Sequence, residues 1–189
     1  MGNAAVELKM CADEFLAWDQ TQTLRHEYLR GEVFAMAGGE DANAFIALNI
    51  ASAARAHLRG SPCKVLISEV KLRVEAANSF FYLDVMVTFS AADAANRLIK
   101  REPLLAVEVL SPSTAAYDRG EKFAVYRQIP SLREYALIDP RSRRCDVYRR
   151  GADDLWVLHP FEQGEALVLA SIEFSLAAEL LWEDVPAAE

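Results

Sequence analysis

Cysteine is scarce: Cys11, Cys63 and Cys145 are three in 189 residues and lie far apart. Their number and spacing exclude a disulfide framework and a zinc knuckle and point to a reducing compartment, the cytoplasm. Histidine is equally thin, and His26, His57 and His159 show no metal-ligand spacing. Positive charge is in deficit. Lys and Arg total 20 against 28 Asp and Glu, a formal net charge of −8. That balance excludes a protein that coats nucleic acid through a broad phosphate-neutralising surface, though not one with a local basic patch. No apolar run approaches membrane-spanning length, and the opening MGNAAVELKM lacks the apolar core of a signal peptide. Internal repeats, low-complexity tracts and linkers are also missing. What remains is a chain that is 52% hydrophobic, enough to bury a sizeable core in one globular domain.

Residues 13–18 place Phe15 and Trp18 on one side of a short amphipathic helix. Residues 25–36, RHEYLRGEVFAM, read as a hairpin turning at Arg30-Gly31. From 41 to 59, Phe45, Ile46, Ile50, Ala53, Ala54 and Leu58 recur at helical spacing, with Asp41 as N-cap and Gly60 and Pro62 as stops. Three strand-like segments follow, 64–74, 80–89 and 103–110, with a polar, Ala-rich loop at 90–102. Asp118 and Glu121 then have capping-box spacing for a helix that Ile129-Pro130 ends. Residues 134–138 form a further strand, 145–148, 155–158 and 166–169 a meander, and 176–182 a short closing helix. The order helix, three strands, helix, strand, with added antiparallel strands at both ends, predicts an α+β fold with mixed sheets. It would be a single domain over 1–189, with a core at about 41–140, an N-terminal helix and hairpin at 13–36 and a C-terminal meander and helix at 141–182.

Two of these strands carry an acid where an apolar residue belongs: Asp84 in FFYLDVMVTF and Glu108 in LLAVEVL. A buried carboxylate is costly unless it is paired, hydrogen-bonded or bound to a metal. Two such acids on neighbouring strands suit a divalent cation, since Mg²⁺ is commonly held by one or two carboxylates with water and phosphate. The ordinary alternative is a pair of structural acids bonded to backbone amides or to an arginine such as Arg119. Lys122 and Tyr126, four apart, share a helix face. Tyr126 reads as core, its hydroxyl on a polar neighbour, and Glu69 and Lys71 as a cross-strand ion pair of little worth. Arg127, Arg133, Arg141, Arg143, Arg144, Arg149 and Arg150 offer phosphate contacts or simply a solvated turn.

The Asp84 and Glu108 arrangement, the stretch VEVLSPSTAAYDRGEKFAVYRQIPSLREYALIDP at 107–140, and the upstream HEYLRGEV and YLDVMV together resemble a large bacterial family of restriction-endonuclease-like proteins in the PD-(D/E)XK nuclease superfamily. The likeness spans roughly residues 13–182. It implies a restriction-endonuclease-like core and Mg²⁺- or Mn²⁺-dependent hydrolysis of phosphodiester bonds in DNA by a homodimer, with no organic cofactor. It assigns Asp84 and Glu108 as metal ligands, with the Val109 carbonyl beside them and Glu27 as an upstream acid able to join. It also calls for a lysine to orient the attacking water or stabilise the pentacovalent phosphate. Three positions depart from the family pattern: Leu83 in place of proline, Leu110 in place of the motif lysine two beyond Glu108, and Asn43 where many relatives carry histidine. The lysine must then be Lys122, on the following helix, or Lys71, beside Asp84. These departures and the pI of about 5.0 support a second reading, a catalytically inactive nucleic-acid- or protein-binding module on the same fold.

Overall fold

The computed structural model describes residues 5–36 and 38–186. At the N-terminal end come β1 (Ala5–Lys9), α1 (Ala12–Asp19), β2 (His26–Leu29) and β3 (Glu32–Ala35). Arg30 and Gly31 turn the β2–β3 hairpin with φ of +52° and +105°, the left-handed pair that a two-residue hairpin needs to match strand twist. Next is α2 (Asp41–His57). Its Ala42, Ile46, Ile50 and Ala54 fall on one buried stripe because their spacing follows the helical repeat. Glu40, not Asp41, occupies the N-cap, and the Asp41 carboxylate accepts from the Ala42 amide instead.

The expected strands at 64–74 and 80–89 are each two strands. β4 (Lys64–Ile67) and β7 (Val85–Thr88) pair antiparallel, and β5 (Lys71–Val74) pairs with β6 (Ser79–Tyr82). The two arms of this long hairpin bend together, at 68–70 and at Leu83–Asp84, and pass from one sheet to another. Phe80, Phe81, Tyr82 and Leu83 are buried in succession, so neither strand face is solvated. The apolar run that read as one long strand is a strand, a corner and a second strand. The stretch at 90–102, read as a loop with a helical turn, contains α3 (Ala91–Ala95) and β8 (Ile99–Lys100).

Then follow β9 (Pro103–Val109), α4 (Ala115–Tyr117), a π-helical turn (Asp118–Lys122) and α5 (Phe123–Tyr126). Asp118 lies inside this helical segment and does not cap it. Thr114 holds the N-cap position, and Ser111 in the preceding turn accepts from the Ala115 amide through its carbonyl at 2.9 Å and from the Thr114 amide through its hydroxyl at 3.3 Å. The chain closes with β10 (Glu134–Asp139), β11 (Arg144–Arg150), β12 (Trp156–Phe161), β13 (Leu167–Leu169), β14 (Phe174–Leu176) and α6 (Ala178–Leu181). The expected three-strand meander is broken, because β13 pairs with β14 and not with β12.

Two six-stranded sheets result, in the orders β1-β3-β2-β6-β5-β8 and β12-β11-β10-β9-β7-β4. In the second, Val85, Val87, Leu105, Val107, Val109, Ala136 and Ile138 pack against α2 and the C-terminal segment. The opposite face carries Met86, Ala106 and Leu137 against Leu72, Phe81, Val125, Tyr126 and Leu132. The sheet is therefore buried on both sides. Its inner run, β4, β7 and β9 followed by the helical segment and the parallel strand β10, is the expected order of helix, three strands, helix, strand.

Candidate active site

Period-two alternation on β9 decides which way Glu108 points. Leu105, Val107 and Val109 face α2, so Ala106, Glu108 and Leu110 face the helical segment on the other side. Lys122 meets Glu108 there. Its Nζ lies 3.0 Å from Glu108 Oε1, 3.1 Å from Glu27 Oε1 and 3.4 Å from Asp118 Oδ1. Tyr126, one turn on, donates its hydroxyl to Glu108 Oε1 at 2.9 Å. Asp84 stands at the corner between β6 and β7, where its Oδ2 accepts from the Val109 amide at 2.7 Å. Asn43, on the first turn of α2, donates to the carbonyls of Val109 at 3.0 Å and Leu110 at 3.3 Å. Asp84, Glu108, Glu27, Asp118, Lys122 and Asn43 line one cleft of about 120 Å³.

The charge in this cleft is uneven. Three carboxyl groups lie within 3.4 Å of one ammonium and the Asp84 carboxyl shares their cleft; Glu27, Glu108, Asp118 and Lys122 are 2%, 4%, 3% and 6% exposed. Burial pushes the Glu108 carboxyl well above its ordinary value; Lys122 opposes that shift, and the other acids reinforce it. Burial raises Glu27 and Asp84 as well, again against the pull of Lys122. For Lys122 burial works against the charged form, but Glu108 and Glu27 outweigh it and hold the ammonium well above its usual pKa. Hence Lys122 is a fixed cation beside three acids that ionise reluctantly, Glu27, Asp84 and Glu108. Glu27 Oε1 and Asp118 Oδ1 sit within ion-pair range of it without a hydrogen bond.

All four residues expected at the site, Glu27, Asp84, Glu108 and Lys122, converge. The alternative lysine does not join them: Lys71 Nζ is 2.8 Å from Asp19 Oδ2 and stacks over Tyr82. Leu110, in the motif-lysine position, is buried in the core, and the ammonium comes from Lys122 instead. Arg119 pairs with Asp146, and among the described residues no arginine forms an ion pair with Asp84 or Glu108. Glu69 pairs with Arg25 and not with Lys71. Most of the C-terminal arginines are structural. Arg149 binds Glu134, Arg144 binds Glu162, and Arg150 donates to the carbonyls of Arg127, Ile129 and Pro130.

Two contributors were missed. Asp118 carried a capping signature, and only its spacing of four from Lys122 hinted at an ion pair. Asn43 was read as a lost histidine, but it anchors the end of β9 through two carbonyls. Among the described residues no three His, Cys, Asp or Glu side chains converge at metal-holding distance. Two carboxylates do retain free oxygens: Asp84 Oδ1 and Glu108 Oε2 make no hydrogen bond among the described residues.

The fold has solved counterparts. One is a crystal structure described as "a putative nuclease belonging to DUF820 from Anabaena variabilis", with a TM-score of 0.77 and 16% identity, covering 92% of this chain and 97% of that one. Two proteins of Synechocystis sp., slr1290 and sll1609, are similar in sequence, 33% identical over 174 residues and 31% identical over 168. The alignments cover 92% and 88% of this chain and 92% and 93% of theirs. Residues 12–179 match the Uma2 family, described as "Putative restriction endonuclease", and the chain belongs to that family, with a restriction-endonuclease-like fold.

Proposed function

We propose that the protein is a divalent-metal-dependent endonuclease that hydrolyses phosphodiester bonds in DNA, with Mg²⁺ or Mn²⁺ held by Asp84 and Glu108. The observation that carries this reading is the cleft that gathers four carboxyl groups and Lys122, with Asp84 Oδ1 and Glu108 Oε2 left open. An all-oxygen donor set with excess negative charge fits a hard cation. Two carboxylates are enough, since such ions keep several waters and take further ligands from substrate phosphate. When bound, the metal would acidify water and draw charge from the phosphoryl oxygens.

The remaining work falls to the chain. The Val109 amide fixes Asp84, and Tyr126 with Lys122 fixes Glu108 through Oε1, which leaves Oε2 for the cation. Lys122 supplies a positioned positive charge where negative charge grows on the phosphate, and a preorganised cation gains most as that charge develops. Glu27 and Asp118 hold its Nζ from two sides. Glu27 is a positioning residue in this account. The fold acts as a homodimer, because cutting both strands of a two-fold duplex favours two-fold protein symmetry. The burial of Lys122 beside the acids and the pairing of Arg119 with Asp146 support the enzyme over a catalytically inactive module on the same fold.

The test is supercoiled plasmid incubated with protein and Mg²⁺ or Mn²⁺, with EDTA as control. Nicking with metal, absent in EDTA and reduced about 10²- to 10³-fold in Lys122→Met, is expected. Equal nicking in EDTA would overturn the metal requirement, and no nicking with either metal would overturn the enzyme.

A further inference from the structure

A groove larger than the cleft itself runs up to it. It lies between α2 and the edge strand β4, and its two continuous parts share Ser52, Arg55, Val65 and Leu66, with volumes of about 850 and 510 Å³. One end is lined by Arg55, Arg59 and Lys64. The other ends on Asp84, the residue it shares with the site cleft.

Three cations line this groove. Arg55, Arg59 and Lys64 are exposed and ion pair with no acid among the described residues, in a chain whose net charge is −8. Arg25, Arg101, Arg119 and Arg144 are each paired with an acid, and the other exposed cations without one among the described residues, Lys9, Arg30, Arg97, Arg127, Arg133 and Arg141, do not line this groove. Glu69, the acid lining the groove besides Asp84, is neutralised by Arg25. The cations also come from two elements. Arg55 is in the last turn of α2, Arg59 stands two residues beyond its end, and Lys64 opens the facing strand. From Ala44 to Arg55, α2 runs along the groove for about 16 Å, room for about five nucleotides at 3.4 Å per step along a strand.

From this we infer that the α2–β4 groove is the path of the DNA backbone leading away from the scissile bond, with Arg55, Arg59 and Lys64 as its phosphate contacts. The inference rests on the nuclease reading of the site. It would let an acidic protein hold a polyanion: repulsion from the acidic surface favours a groove whose three cations lack acidic partners. Contacts of this kind position the strand and carry no sequence information.

The experiment is fluorescence anisotropy of a labelled short DNA duplex against salt, in EDTA so that metal plays no part. Wild type is compared with the Arg55→Gln/Arg59→Gln/Lys64→Gln variant and with a second variant, Arg55→Lys/Arg59→Lys, that keeps the charge. Circular dichroism checks the fold of each. We expect the slope of log affinity against log salt to flatten by about 0.9 per cation removed, roughly 2.7 in the triple variant. The lysine variant should keep the wild-type slope. An unchanged slope in a folded triple variant, with wild type binding normally, overturns the groove and leaves the nuclease reading intact. Failure of wild type to bind DNA at low salt overturns the nuclease reading and the groove together.

Discussion

At Glu108 the chain keeps a carboxyl group that an apolar strand has no use for, and its environment decides what that group can do. Burial holds its pKa well above the ordinary 4.5 despite Lys122 and Tyr126 on Oε1, and Glu27 and Asp84 shift the same way. The folded protein thus retains protons that the unfolded chain releases. Stability contributed by these acids is present below the ordinary carboxylate range and declines as pH rises from about 4.5 through the raised value. Urea denaturation of metal-free protein between about pH 5 and 8 should therefore show falling stability, with a shallower fall in Glu108→Gln. Parallel profiles would mean that Glu108 is not the strained group. The residues behind this behaviour were partly legible in the sequence. An acid inside an apolar strand stands out without a structure, and so did Asp84, Glu108 and, by its spacing from Tyr126, Lys122. Asp118 did not, because a capping box and an inward ion pair share the same sequence signature, and only packing decides between them.

Elements set the precision of the site. β9 aims Glu108 by simple alternation, but Asp84 depends on a corner between two strands that belong to different sheets. That corner was hidden in the sequence. FFYLDVMVTF is apolar on both sides of Asp84, and only the stacking of the hairpin arms shows that the chain bends there. The helical segment is equally specific. Its π turn places Asp118 and Lys122 on one inward line, with Tyr126 a turn beyond, and such turns recur at functional sites because they reorient side chains without breaking the helix. Deleting Gly120, whose surroundings are open, would restore regular helical spacing and rotate Asp118 away from Lys122. Nicking should fall about 10²-fold, the effect of a misplacement of about 1 Å, while circular dichroism stays native. A deletion variant with full activity would show that the wide turn is incidental.

For the whole molecule, composition said more about what the protein is not than about what it is. The acidic balance rules out broad nucleic-acid coating, yet three cations without acidic partners face one groove, a placement that depends on β4 lying beside the end of α2. No helix among the described residues is long and apolar enough to cross a membrane. Two-fold cutting predicts a solution mass of two chains by light scattering, and the mass of one chain would contradict the dimer. The central claim is that Asp84 and Glu108 hold a divalent cation that the chemistry needs. Its most direct measurement is calorimetric titration of Mn²⁺ into wild type, Asp84→Asn and Glu108→Gln, with plasmid nicking followed on the same preparations. The account predicts saturable binding by wild type, lost in both variants together with nicking. Binding that survives both substitutions, or no binding by wild type at millimolar Mn²⁺, would contradict it.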